Sequence, residues 1–232
     1  MDQNEKIILS LHPIYFSKKH FMNATTFVNI IEIIGTFAFA ISGIRLASAK
    51  KFDWFGAYVV GLTTAIGGGT IRDLLLDLTP FWMTNSMYLI VTGIAMLAVI
   101  LFGRFLIHLH NTLFLFDTIG LGLFVVVGVQ KSLMVGFPYW VAIIMGTITG
   151  AAGGVMRDIF INEEPLIFRK DIYALACVIG GIVFCLSDYW GGNYVISQIL
   201  CAAFVIISRI VAVKYHLSLP VLRGEDDYKE EK

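Results

Sequence analysis

GLTTAIGGGTIRD, residues 61–73, returns 85 residues later as GTITGAAGGVMRD, residues 146–158. Both stretches are apolar with a glycine cluster, and both end in Arg-Asp, Arg72-Asp73 and Arg157-Asp158. The match extends without a gap at the same offset of 85. Upstream, Glu32 falls on Asp117, Gly35 on Gly120, Phe39 on Phe124 and Gly43 on Gly128. Within and beyond, Thr64 falls on Thr149, Gly68-Gly69 on Gly153-Gly154, Pro80 on Pro165 and Tyr88 on Tyr173. Chance does not produce a gapless self-match of this length, so the chain contains an internal repeat.

The solvent of that repeat is lipid. Of the 232 residues 57% are apolar and 15% charged, where a soluble domain carries about 25% charge. Seven apolar windows of spanning length follow one another, near Thr26–Ala49, Trp54–Leu76, Ser86–Ile107, Leu113–Leu133, Tyr139–Ile161, Ile172–Asp188 and Tyr194–Tyr215. A crossing needs about 20 mostly apolar residues. Short links with turn-forming residues separate them, among them Gly136-Phe137-Pro138 and Gly191-Gly192-Asn193. The expected fold is an all-α integral membrane protein of seven transmembrane helices. An N-terminal arm (1–25) precedes a first three-helix repeat (26–110) and a second (111–193). A seventh helix (194–216) and a disordered tail (217–232) follow. Three spans per repeat make the second copy enter from the opposite face, so the repeats are inverted. Inverted repeats in transport proteins put the substrate path at their interface, near mid-bilayer.

Basic residues fix the expected orientation. Arg45, Lys50, Lys51, Arg104, Arg169, Lys170, Lys214, Arg223, Lys229 and Lys232 fall on one side, against Lys6, Lys18, Lys19 and Lys131 on the other. The positive-inside rule then places the C-terminus in the cytoplasm and the N-terminus outside. The first 25 residues have no long apolar core with a cleavage site and read as a retained arm rather than a signal peptide.

Gly67-Gly68-Gly69 in span 2 and Gly153-Gly154 in span 5 weaken helix and permit unusual backbone angles. Broken helices 2 and 5 would expose carbonyls to a central path, where carbonyls can replace a cation's hydration shell. The alternative is that these glycines serve only close helix packing. Thr64, Thr149, Ser42, Thr63 and Thr147 lie at pathway depth, although such hydroxyls also bond back to their own helix. Intramembrane charges need partners. Glu32 with Arg72, and Asp117 with Arg157, are expected to form one acid–arginine layer near each face, acting as gates or as clamps. Asp73 and Asp158 are expected to cap the broken half-helices, since carboxylates favour a helix N-terminus.

Other chemistry is not indicated. There is no nucleophile elbow, no H-E-x-x-H and no phosphate-binding lysine after the glycines. His12, His20, His108, His110 and His216 lie in tails or loops, and no tight metal site is expected. Cys177, Cys185 and Cys201 sit in apolar segments and read as core residues. Lys+Arg and Asp+Glu balance at 17 each, so net charge points to no nucleic-acid partner.

The paired Gly-Gly-Gly-x-x-Arg-Asp-like elements, within two three-span repeats plus a seventh span, resemble the trimeric intracellular cation channel (TRIC) family. The bacterial branch, also labelled a glycine transporter domain, fits best, over about residues 26–215. The resemblance implies a non-enzymatic homotrimer in a bacterial plasma (inner) membrane. Each protomer would carry a pore bounded by spans 2 and 5, conducting monovalent cations, chiefly potassium, with potassium or sodium as permeant ions, no cofactor, and membrane lipid in contact. It assigns function to Gly67, Gly68, Gly69, Arg72 and Asp73, and to Gly153, Gly154, Arg157 and Asp158. Ala152 departs from the pattern by standing where the first glycine would be, which implies a weaker kink in span 5. A secondary transporter of a small solute such as glycine is the other reading, since inverted repeats with broken helices serve transporters too.

Overall fold

The computed structural model describes residues 18–108, 112–169 and 172–220, with the backbone alone for 18–26 and 104–108. Seven long helices run in order: α1 (Lys18–Ala49), α2 (Trp54–Leu75), α3 (Met87–His108), α4 (Thr112–Val135), α5 (Tyr139–Phe160), α6 (Ala174–Tyr189) and α7 (Tyr194–Lys214). A four-residue helical turn, Phe81–Thr84, links α2 to α3, and a 3-10 turn, Leu166–Phe168, links α5 to α6. Helix α1 begins at Lys18, eight residues before the span read at Thr26. The first 17 residues, His110, Lys170 and the tail from residue 221 lie outside the described residues, as do the side chains of Lys18, Lys19, His20, Arg104 and His108.

Local signals set the ends. Asp53 caps α2, its Oδ1 accepting from the Gly56 N–H at 2.7 Å. Asn193 does the same for α7 through the Val195 N–H at 3.0 Å. Helices α2 and α5 stop alike: Asp77 and Asn162, 85 positions apart, both take a left-handed turn at φ 56°. The following N–H, of Leu78 and of Glu163, returns 2.8 Å to the carbonyls of Asp73 and Asp158.

Among the described residues, four helices are long and apolar enough to cross a membrane by themselves: Phe27–Ala49 of α1, then α4, α5 and α7. The apolar part of α3 covers Met87–Gly103, and α6 has 16 residues, about 24 Å at 1.5 Å per residue. Ile90, Ile94, Leu97 and Leu101 on α3, and Ile199, Leu200, Ile207 and Ile210 on α7, are exposed. Such apolar ridges on a multi-helix bundle face lipid.

The glycines explain the packing. Both glycine-rich helices run as continuous α-helix through their glycine clusters. The expected break is therefore absent, and the reason is tertiary. A Cβ on Gly68 would strike the Thr149 carbonyl, and one on Gly153 would strike the Thr64 carbonyl. Here α2 and α5 cross backbone to backbone, each helix resting a glycine on the other's carbonyl oxygen. Close crossings of this kind need small residues and are held by packing and Cα–H···O contacts worth about 0.5–1 kcal/mol each. Within each repeat a second crossing recurs: a Cβ on Gly43 would meet Gly61 and Thr64, and one on Gly128 would meet Gly146 and Thr149. Phe39 and Phe124 stack at the centre, ring centroids 5.2 Å apart. Phe39 lies over Gly120 and Phe124 over Gly35.

Gly68→Ala or Gly153→Ala forces the crossing apart at a carbonyl that cannot retreat. Each is expected to destabilise by about 1–3 kcal/mol, the usual cost of overpacking. Gly93→Ala on α3, where nothing lies within 4 Å of the added methyl, is the control and is expected to be neutral. Thermal unfolding of the detergent-solubilised protein checks all three.

Candidate functional site: two arginine layers about a glycine crossing

Arg72 and Arg157 each sit near the C-terminal end of a glycine helix and are fully buried. Their partners come from the sequence-adjacent aspartate and from a neighbouring helix of the same repeat. In the first layer, Arg72 Nη2 lies 3.4 Å from Glu32 Oε1 and 2.7 Å from Asp73 Oδ1. In the second, Arg157 Nη1 lies 2.5 Å from Asp117 Oδ1, while Arg157 Nε donates to Asp158 Oδ1 at 2.8 Å.

The aspartates do something other than cap half-helices. Helices α2 and α5 are unbroken, so no internal N-terminus exists for them to cap. Asp73 Oδ2 instead accepts from the Phe81 N–H at 2.8 Å, and Asp158 Oδ2 from the Leu166 N–H at 3.1 Å. Phe81 and Leu166 open the two linking turns. Each aspartate thus ties its arginine to the start of the next element, using an N–H that the turn itself leaves free.

The layers differ in their remaining partners. In the first, Tyr88 donates to Glu32 Oε2 at 2.9 Å, and Lys131 of α4 reaches Glu32 Oε1 at 2.8 Å. Lys131 Nζ also stands 5.2 Å from the centroid of the Phe81 ring. In the second, Arg157 Nη1 donates to Ser42 Oγ of α1 at 2.7 Å. Asp117 is one methylene shorter than Glu32, and Tyr173, the counterpart of Tyr88, makes no hydrogen bond to it. Among the described residues, Asp117 Oδ2 and the Tyr173 hydroxyl are buried without a hydrogen-bond partner.

The threonine hydroxyls bond back to their own helices. Thr63, Thr64, Thr147 and Thr149 donate to the carbonyls of Val59, Val60, Ile143 and Met145, one turn back in the same helix. Gly67 receives the Met156 thioether in the space a Cβ would fill, Gly69 the Phe81 ring and Gly154 the Tyr173 hydroxyl. Among the described residues no group of three His, Cys, Asp or Glu is placed to hold a metal ion. All three cysteines are buried and free.

Two site residues carry little signal in the sequence: Tyr88 stands out only as the repeat match of Tyr173, and Lys131 reads as an end-of-span charge that bears on orientation. A charge inside an apolar run is the signal available for Lys131.

The glycine transporter family matches this chain twice, at residues 29–104 and 114–189. The two matches are offset by 85 at both ends (114 − 29 and 189 − 104), the spacing of the repeat. The chain belongs to the TRIC family. It is 36% identical to a TRIC cation channel solved for the structural basis of its conductance, with a TM-score of 0.77 over 85% of this chain and 98% of that one. It is 32% identical to the TRIC orthologue from Rhodobacter sphaeroides, with a TM-score of 0.76 over 83% and 100%. Among curated relatives, a UPF0126 membrane protein of Vibrio cholerae is 39% identical over 84% of this chain and 83% of its own length. The inner membrane protein YadS of Escherichia coli is 38% identical over 85% and 97%. The solved TRIC relatives are channels rather than enzymes, and the arginine layers and glycine crossing lie inside the matched region.

Removing one partner from a buried ion pair typically costs about 3–5 kcal/mol, because the other charge stays behind. Arg157→Gln leaves Asp117 and Asp158 buried together and is expected to lower the yield of folded protein sharply. Asp117→Asn, which leaves Arg157 its Asp158 partner, is expected to cost less. Size-exclusion profiles and thermal unfolding distinguish them. At the surface, Lys50 Nζ lies 2.5 Å from Glu163 Oε1 and joins the α1–α2 link to the α5 end. The Lys50 hydrogen bond, then its charge, hold the Glu163 carboxyl below the usual carboxylate range. A depressed carboxyl pKa adds stability above its unfolded value, lost as pH falls through the folded value. The stability difference between wild type and Glu163→Gln should persist near neutral pH, vanish in the acid range below 4.5 and shrink with salt.

Proposed function

We propose that the protein is a monovalent-cation channel, potassium its chief ion, with a pore between α2 and α5 in each protomer of a homotrimer. The observation that carries this reading is the reciprocal crossing: the Thr64 and Thr149 carbonyls meet Gly153 and Gly68 midway between two charged layers. Each carbonyl keeps a second lone pair beyond its own helix bond. Where the two helices separate, those oxygens face the gap and can take the place of an ion's water shell. Gly67, Gly68 and Gly153 set how closely the two helices shut, while Gly69 and Gly154 seat Phe81 and Tyr173 beside the layers. Ser42 leads from the crossing to the second layer through Arg157.

In this reading the two repeats are inserted in opposite senses, seven helices span the membrane, and the layers of Arg72 and Arg157 lie toward opposite faces. The protein resides in a bacterial inner membrane, with the N-terminus outside and the C-terminus cytoplasmic. Glu32, Arg72 and Asp73, and Asp117, Arg157 and Asp158, hold the ends of α2 and α5 while the glycine crossing opens. The solved relatives, described as TRIC cation channels, one of them explicitly trimeric, support both the activity and the trimer.

The matched family's description, glycine transporter, favours a second reading, carriage of a small zwitterion through the same crossing. Planar bilayers holding the purified protein separate the two. Potassium-selective unitary currents are expected, with no saturable glycine uptake into proteoliposomes. Silence across voltages and lipid compositions, together with saturable uptake, selects the transporter.

A further inference from the structure

The two layers carry unequal charge within the repeat. In the first, Glu32 and Asp73 face Arg72 and Lys131, two negative groups against two positive. In the second, Asp117 and Asp158 face Arg157 alone. The repeat explains the shortfall, because the position matching Lys131 is Leu46 (131 − 85 = 46). On α1, Arg45, one turn beyond Ser42, is half-buried and forms no ion pair with either aspartate among the described residues. A net negative layer buried at this depth is costly.

We propose that Arg209, on the seventh helix outside the repeat, balances and positions the second layer, as Lys131 does the first. Arg209 is 2% exposed in the last third of α7, between Ile207-Ser208 and Ile210-Val211. Its guanidinium carbon stands 4.9 Å from the centroid of the Tyr173 ring and 5.3 Å from that of Phe114, and its Nη1 donates to the Ile172 carbonyl at 3.0 Å. The far end of Tyr173 reaches the layer itself. Its hydroxyl abuts Gly154, and Asp117 Oδ1 lies 3.6 Å from the point a Gly154 Cβ would take. Cation, aromatic ring and acid thus follow in order, as Lys131, Phe81 and Tyr88 surround Glu32 in the first layer. There Phe81 and Tyr88 meet edge to face at 4.4 Å, and Lys131 stands over Phe81.

One difference has a consequence. Lys131 touches its acid, whereas Arg209 acts across a tyrosine. The second layer is therefore neutral in sum yet keeps an acid oxygen, Asp117 Oδ2, without a hydrogen-bond partner among the described residues. Arg209 sets the electrostatic field at that end of the path and holds Tyr173 against the layer. The last helix is part of the conduction machinery as well as packing.

This inference rests on the channel reading for its effect on currents, and on charge alone for its effect on stability. In bilayers, Arg209→Gln leaves the second layer with one net negative charge. Cation entry from that side is expected to rise about threefold relative to the other, seen as rectification, because local ion concentration follows the field. Arg209→Lys is expected to restore the wild-type current–voltage relation. Wild-type currents from an assembled Arg209→Gln protein would overturn the proposal. Thermal unfolding provides the second arm, independent of conduction. Arg209→Gln is expected to lower Tm, and adding Asp117→Asn, which removes the matching acid, to recover part of the loss. A double variant no more stable than Arg209→Gln alone also overturns it, leaving Arg209 a packing residue. A wild-type protein that carries no current defeats the channel reading but leaves the thermal arm standing.

Discussion

A guanidinium inside a lipid-solvated bundle must be neutralised where it lies, and the ends of both glycine helices are organised around that need. The adjacent aspartate is the simplest partner, but one aspartate must also be held. Asp73 and Asp158 use their second oxygen to bind the first N–H of the following turn. Charge neutralisation and chain reversal therefore become one unit. Glu32 and Asp117 then join that unit to the first helix of each repeat. Losing the arginine would strand two buried carboxylates and loosen the turn that one of them holds.

The middle of the molecule obeys a different rule. There the chain brings two helix backbones into direct contact, and the stabilising terms are packing and weak Cα–H···O contacts rather than ion pairs. Each such contact is worth about 0.5–1 kcal/mol, against about 3–5 kcal/mol for breaking a buried charge pair. This ordering favours motion at the crossing over motion at the layers. Ends fixed and centre separable is the mechanical arrangement that the proposed path between α2 and α5 would use.

The copies have diverged where the repeat meets the rest of the chain. Glutamate in one layer is aspartate in the other, so one tyrosine hydrogen-bonds its acid and the other does not. Lys131 enters the first layer from the second repeat. Arg209 approaches the second from beyond the repeat altogether. The surface pair Lys50–Glu163 has no twin, since the matching positions are Val135 and Leu78. Two like halves thus give two unlike ends, as a path with a direction needs.

The amino-acid order alone determined the membrane class, the helix sequence, the repeat and the acids that belong with Arg72 and Arg157. Those features follow from hydropathy, from a fixed offset and from the cost of an unpaired charge in lipid, all of which act along the chain. Most helices lie close to their apolar windows for the same reason, although α1 begins eight residues before its window. The role of the glycines was decided by tertiary structure. Read along the chain, GGG argues for a broken helix, but the opposing carbonyls of Thr149 and Thr64 leave no room for a Cβ and permit an unbroken helix to lie against them. The tasks of Asp73 and Asp158 changed with it, because an unbroken helix has no inner end to cap. Lys131 was hidden likewise: whether a lone cation in an apolar helix meets an acid depends on which helices become neighbours, and only the packed bundle settles that.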